Sequence, residues 1–159
     1  MTALHSWTED AARKYFSGRA TYEKTVTIDQ AMAGSRHPLY LNFGEGTPVT
    51  VPERRSTSGM RAMLEGPVRE AAVVTVNGKR AGAVWCAPYE VEVGGLLHAG
   101  ENTIRVVVAN LAINEMAKGP LPDFKGLIAK YGDRFQDQDM RNVEPLPSGL
   151  LGPVRLMAK

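Results

Sequence analysis

The sequence has a single cysteine, Cys86, and this excludes an internal disulfide. It leaves the redox compartment open, because secreted domains with an adequate core fold without disulfides. The three histidines, His5, His37 and His98, lie far apart and show no paired ligand spacing, so they do not indicate zinc. A phosphate-binding glycine motif is also missing, since Gly94-Gly95 follows a strand pattern but precedes no helix. Disulfide, zinc and phosphate-loop chemistry are therefore not indicated.

Long apolar runs and an excess of one charge are absent as well. No uninterrupted apolar stretch approaches the length of a membrane span, and the segment from Met1 to Trp7 lacks the basic and apolar regions of a secretion signal. The 19 basic and 17 acidic residues give a formal charge of +2, and the basic residues are scattered. We therefore expect neither a nucleic acid nor a membrane as partner.

Enough apolar residues are present for a substantial core. Of the 159 residues, 43 % are hydrophobic and 23 % are charged, which is typical of one folded domain. We predict a single domain over residues 1–159, with a lead-in over 1–18, a long loop over 46–67 and a helix-containing excursion over 111–147.

Alternating apolar residues predict a series of β-strands. The densest hairpin signal is Asn77-Gly78, a dipeptide that reaches positive φ easily and suits the tight turns between antiparallel strands. Strands are predicted on both sides of it and elsewhere along the chain, over Arg19–Ile28, Leu39–Phe43, Val68–Val76, Tyr89–Val93, Thr103–Ala109 and, as a closing edge strand, within Leu150–Leu156.

Helical signals are few. Asp123 can cap a helix in which Phe124, Leu127, Ile128 and Tyr131 share one face, and Gly132 supplies the stop. In the lead-in, Ser6 and Glu9 form a capping-box pattern that indicates a short helix or a turn. The long connections at both ends of the strand series favour a jelly-roll topology. The predicted fold is an all-β antiparallel jelly-roll sandwich with one short surface helix.

Several ordered motifs together resemble a known domain family. They lie over residues 15–25, 73–84, 88–91, 100–103 and 146–154 and span nearly the whole chain. They resemble the carboxy-terminal domain of large bacterial α-L-rhamnosidases of glycoside hydrolase family 106, and also the sugar-binding β-sandwich of the β-galactosidase and β-glucuronidase group. The resemblance implies a galactose-binding-like sandwich appended to a catalytic barrel, and a periplasmic or extracellular location.

The resemblance places the catalytic carboxylates in a barrel that this sequence does not contain. The chain is then either a fragment or a free-standing module built from the same domain. A glycosidase needs two carboxyl groups about 5 to 9.5 Å apart across the scissile bond. Asp133, Asp137 and Asp139 form the most suggestive acidic cluster, but they lie in a polar, aperiodic stretch where solvated charges are usual. We predict no enzymatic activity.

Sugar recognition needs an aromatic face for the ring and planar polar groups for its hydroxyls. Trp85 and Tyr89 bracket a bend between consecutive strands and are predicted to be stacking platforms. Asn110 and Asn114 follow the next strand and are predicted to offer their amides beside them. The alternatives stay open: Trp85 can fill core, and both asparagines can tie down loop backbone.

Three further residues complete the predicted carbohydrate site. Lys79 and Arg80, at the hairpin turn, could reach a carboxylate or hydroxyl, and Trp7 is a second candidate platform whose alternative is a lid over the core. Outside that set, the Arg54-Arg55 pair could clamp an acidic sugar or contact another domain, or could be solvated.

The predicted function is a non-catalytic carbohydrate-binding accessory module that binds oligo- or polysaccharides. The alternatives are a structural domain that braces a rhamnosidase barrel or lends it a loop, and a protein-interaction module that uses the Arg54-Arg55 loop or the Phe124 helix. No cofactor is expected. A structural calcium ion stays open by resemblance, without a dedicated loop in the sequence. Cys86 is expected to be a small buried apolar group.

Overall fold

A computed structural model describes residues 3–49, 64–120, 123–132 and 143–159. The Arg54-Arg55 pair and the acidic cluster of Asp133, Asp137 and Asp139 lie outside the described residues. The strands within the described part are β1 (Arg19–Ile28), β2 (Leu39–Asn42), β3 (Thr47–Pro48), β4 (Leu64–Glu65), β5 (Val68–Arg69), β6 (Ala71–Val76), β7 (Lys79–Val84), β8 (Glu90–Glu92), β9 (Gly100–Ala109), β10 (Gly149–Leu150) and β11 (Arg155–Ala158).

Two antiparallel sheets enclose the core. One has four strands in the order β1-β9-β6-β7, and the other has three in the order β11-β2-β8. Two short ribbons, β10-β5 and β3-β4, lie beside them. Alternate side chains of both sheets point inward, and the most deeply buried include Phe43, Val74 and Val108. The predicted all-β sandwich is confirmed.

The hairpin between β6 and β7 forms as predicted. Asn77 has φ 51° and Gly78 has φ 78°, so both central residues occupy the left-handed region that a type I′ turn requires. The inward set of β6 is also the predicted one, with Ala72, Val74 and Val76 buried. The turn-forming residues and the two-residue alternation of side chains were sufficient to predict this hairpin and the buried face of β6.

The structure has more helices than the one predicted. The expected helix forms as α3 (Phe124–Tyr131), with the Asp123 carboxylate accepting from the Gly126 N–H. Two α-helices were missed, α1 (Gln30–Ala33) and α2 (Ile113–Ala117), because elements this short complete too few turns to show a period of 3.6. In the described part of the chain, no helix is long and apolar enough to cross a membrane.

Three strand predictions were wrong in their bounds. The strand predicted over Thr103–Ala109 begins three residues earlier, as β9 from Gly100. Val68–Val76 divides into β5, which pairs with β10, and β6, which pairs with β9. The closing strand predicted within Leu150–Leu156 is likewise divided between β10 and β11. Alternation reports which residues face inward, but it carries no information on which neighbouring strand supplies the hydrogen bonds.

Lys24 lies on β1, one of the two edge strands of the larger sheet. β1 pairs only with β9, and no described strand pairs with its other side. Lys24 lies on the same face of β1 as the partly buried Tyr22 and Val26, yet its side chain is exposed. A charge at such a position discourages edge-to-edge pairing with a second chain.

Lys24→Val is therefore expected to increase self-association. The substitution removes the charge and raises the β-propensity of a ten-residue edge. Size-exclusion chromatography over a concentration series should show dimers or larger species that the parent chain does not form. Lys24→Arg, which keeps the charge, is the control, and an unchanged elution volume for Lys24→Val would contradict this role.

Candidate functional site

One end of the four-stranded sheet collects most of the predicted site residues. Val84 pairs with Ala72, and Ala72 with Val108, so Trp85 and Asn110 leave their strands at the same end. Lys79 pairs with Val76 at the opposite end. Val84 is five residue steps along β7 from Lys79, or about 17 Å at the usual rise. The structure thus brings Trp85 and Asn110 to one rim and leaves Lys79 and Arg80 at the other.

Trp85 is the most exposed of the large hydrophobic side chains described, with 71 % of its surface accessible. It begins the bend of residues 85–89, which carries the chain from β7 in one sheet to β8 in the other. The alternative in which Trp85 fills core is therefore wrong. Cys86 is exposed beside it, which corrects the expectation of a buried thiol, because a connection between sheets runs over the surface rather than through the core.

Tyr89 fixes the other end of this bend. Its side chain is half-buried against the core, and its carbonyl accepts from the Phe43 N–H at 2.9 Å. The ring also lies close to Gly66, where an added Cβ would come within 2.8 Å of the Tyr89 hydroxyl. Tyr89 thus packs against neighbouring backbone and presents less free ring than Trp85.

Asn114 and Asn110 hold loop backbone together around Ser148. Asn114 is 1 % exposed, and its amide donates to the Leu146 carbonyl (2.9 Å) and the Ser148 hydroxyl (2.8 Å). The Asn110 amide donates to the Phe16 carbonyl (2.7 Å) and to the same hydroxyl (3.1 Å). Both amide hydrogens of each asparagine are thus occupied. This arrangement matches the alternative in which the asparagines tie down loops.

Trp7 lies inside the molecule rather than on its surface. It is 4 % exposed, and its Nε1 donates to the Tyr22 hydroxyl at 2.6 Å. Phe16 packs edge-on against it, with ring centroids 5.4 Å apart. The predicted capping box of Ser6 and Glu9 forms around a 3₁₀ turn, Trp7–Glu9, and holds the indole in place. The arrangement matches the lid alternative.

A second amide network was not found from sequence. Asn102 is 1 % exposed, and its amide donates to the carbonyls of His98 (2.7 Å) and Gly100 (3.0 Å). Its oxygen accepts from the His98 N–H (3.0 Å) and from the Asn77 amide (2.8 Å). Residues 77–78 and 100–102 therefore meet in space and stabilise the turns at the end of the sheet opposite Trp85. The available signal was an asparagine within two residues of a glycine in both turns, Asn77-Gly78 and Gly100-Glu101-Asn102.

Among the carboxylates that the structure describes, Glu90 is the one with a clearly shifted pKa. Hydrogen bonds from Lys159 (2.6 Å) and, more weakly, from Asn42 (3.3 Å) hold the pKa of this carboxyl below its ordinary value, against an opposing contribution from desolvation. The Lys159 ammonium also lies 5.2 Å from the centre of the Tyr40 ring. These contacts tie the last strand to β2 and β8. Within the described ranges, no group of three or more His, Cys, Asp or Glu side chains could hold a metal ion.

The fold and two similar proteins together indicate that this chain is a β-sandwich domain of the kind associated with glycoside hydrolases. It is 30 % identical over 176 residues to a curated putative beta-glucuronidase of Formosa agariphila, covering 96 % of this chain and 13 % of that protein. The solved structure of a rhamnosidase from Novosphingobium sp. PP1Y superposes with a TM-score of 0.66 at 27 % identity, covering 100 % of this chain and 13 % of that one. No family model matches. The chain thus spans about an eighth of the length of either protein.

Proposed function

We propose that this chain is a non-catalytic carbohydrate-binding accessory domain of glycoside-hydrolase origin, and that Trp85 is its stacking platform. The observation that carries the proposal is the exposed indole of Trp85 on the bend between the two sheets. Its ligand would be an oligo- or polysaccharide met in the periplasm or outside the cell, bound without a cofactor or a covalent step.

The exposed indole of Trp85 is energetically unfavourable in water. A tryptophan side chain carries a large apolar surface, and leaving most of it in water forgoes the stabilisation that burial gives. The C–H face of a pyranose covers such a ring and leaves the sugar hydroxyls in water. In this proposal Tyr89 supports the bend, Asn110 and Asn114 hold the adjoining loops, and Lys79 and Arg80 take no part.

A second candidate function is favoured by an apolar patch on the same end of the sandwich. Phe16, Leu111, Met116 and Leu146 are each between 40 % and 48 % exposed. Hydrogen bonds bring their segments together: the Ser17 hydroxyl donates to the Leu111 carbonyl at 2.9 Å, while Asn110 and Asn114 bind the Phe16 and Leu146 carbonyls. Such a patch suits a domain that braces other parts of a protein. In this candidate the chain is the carboxy-terminal domain of a family 106 α-L-rhamnosidase and packs on its catalytic barrel.

Trp85→Ala is expected to remove glycan binding, because it deletes the stacking surface without disturbing the core. Trp85→Phe should retain part of the affinity, since it keeps an aromatic face. Binding is measured on a glycan array that includes rhamnose-containing pectins, followed by calorimetric titration of the best ligand. Met32→Ala, an exposed apolar residue on α1, is the matched control and should bind as the parent does.

Fluorescence provides a second readout, because the two tryptophans differ so strongly in exposure. Iodide should quench the emission of Trp85 and spare that of Trp7, and a bound glycan should protect the quenchable fraction. If Trp85→Ala binds every glycan as tightly as the parent, the proposed platform is wrong. If the parent domain binds no glycan but associates with a rhamnosidase barrel through the apolar patch, the bracing function replaces the carbohydrate-binding one.

A further inference from the structure

A separate pocket of about 350 Å³ opens beside the edge strand β1. It lies between this strand and the lead-in segment that covers it. Its lining residues are Trp7, Arg13, Phe16, Ala20, Thr21 and Tyr22. The volume lies near the lower end of the range for small-molecule sites, about 300 to 1,000 Å³, so it suits a single ring rather than an extended chain. Three of the six lining side chains are aromatic.

The Tyr22 hydroxyl supplies a donor at this pocket. Its oxygen accepts from the Trp7 indole N–H at 2.6 Å and from the Leu150 N–H at 3.3 Å. Both acceptor positions of the phenol oxygen are then occupied, while its hydrogen finds no acceptor among the described residues. A ligand oxygen in the pocket would complete this hydrogen bonding.

The Arg13 guanidinium supplies a positive charge at this pocket and still has N–H groups available to a ligand. Its Nε lies 3.5 Å from the Asp10 carboxylate, and 55 % of its side chain is exposed. This ion pair is the guanidinium's single polar contact within the described residues, where only the backbone N–H of Arg13 donates a hydrogen bond, to the Asp10 carbonyl at 2.9 Å. The planar nitrogens of a guanidinium match the two oxygens of a carboxylate.

We propose that this pocket binds one carboxylate-bearing pyranose unit, a hexuronate. Apolar ring walls would contact the C–H faces of the sugar, the Tyr22 hydroxyl would donate to a ring substituent, and Arg13 would hold the carboxylate. A neutral hexose would offer the guanidinium no carboxylate beyond that of Asp10. A planar aromatic acid would leave the Thr21 and Tyr22 hydroxyls largely without hydrogen-bond partners on the ligand. The site is distinct from Trp85 and does not depend on the function proposed above.

The test uses the two indole N–H signals, which report separately on the two sites. The ¹⁵N-labelled chain is titrated with galacturonate and glucuronate, with galactose and glucose as neutral counterparts, and with 4-hydroxybenzoate as an aromatic acid. Binding of a hexuronate should shift the Trp7 indole signal in a saturable manner and leave that of Trp85 unchanged. Arg13→Gln should weaken hexuronate binding at least tenfold.

Arg19→Gln is the matched control, because it removes the same charge from an exposed residue of β1 outside the pocket lining. It should bind hexuronates as the parent does. The proposal is overturned if no hexuronate gives a saturable shift, if galactose binds equally well, if 4-hydroxybenzoate binds more tightly, or if Arg19→Gln weakens binding as much as Arg13→Gln. Trp85→Ala should leave the titration unchanged, so failure of this site and failure of the Trp85 platform are distinguishable.

Discussion

Gly149→Ala is expected to lower the free energy of unfolding by about 3 kcal/mol, from left-handed backbone strain and from overpacking together. Gly149 has φ +100°, which a residue with a Cβ adopts only at a cost. Its Cβ would also penetrate the Trp7 indole, coming within 2.7 Å of Cε2 and 2.8 Å of Cδ1. Trp7 cannot move aside, because its Nε1 is bonded to Tyr22 and Phe16 packs against its ring.

Gly100→Ala is the matched control for this prediction. Gly100 has nearly the same backbone angle, φ +96°, but an added Cβ there would meet nothing within 4 Å. Gly100→Ala should therefore show only the backbone strain, about 1 kcal/mol. Urea denaturation followed by tryptophan fluorescence measures both variants. Equal losses of stability for the two would contradict the close contact between Gly149 and Trp7.

Asn102→Ala is expected to cost about 3 kcal/mol, because it leaves several buried polar groups without partners. The His98 N–H and the Asn77 amide lose their shared acceptor, and the carbonyls of His98 and Gly100 lose their donor. Water cannot readily replace the missing groups, since Asn102 is almost wholly buried. A loss of this size is a large share of the stability of a typical domain, about 5 to 15 kcal/mol.

Glu101→Ala tests the same turn without touching the network. Glu101 precedes Asn102 but is exposed, so its truncation should change the free energy of unfolding by no more than about 0.5 kcal/mol. Hydrogen exchange gives a second readout: the His98 amide should exchange faster in Asn102→Ala and at the parent rate in Glu101→Ala. Unchanged protection of His98 in Asn102→Ala would show that the network does not hold this turn.

Elements whose signal is local were predicted well. β1 has the predicted bounds, Arg19–Ile28, because its alternation spans ten residues and only Lys24 interrupts it. The helix Phe124–Tyr131 was also predicted, since Asp123 and Gly132 mark its two ends. Each of these signals comes from residues that are close together in the sequence. The short helices Gln30–Ala33 and Ile113–Ala117 lack enough turns to give such a signal.

The candidate site was predicted only in part, because it depends on contacts between distant segments. The bend at Trp85 could be located, but the exposure of the indole could not. Asn114 has the residue type of a sugar ligand, and only its bonds to Leu146 and Ser148, 32 and 34 residues away, show that its amide holds backbone. Trp7 likewise lies far in sequence from Gly149, which it packs against.

The sequence by itself determined which side chains face inward, where the Asn77-Gly78 hairpin turns and that the chain forms a β-sandwich, because side-chain period and turn chemistry act between near neighbours. Only the tertiary structure decided which strands pair and which of the two tryptophans reaches solvent. Burial and hydrogen-bond satisfaction depend on what packs against a residue from elsewhere in the chain, and the identity of a residue does not specify that neighbour.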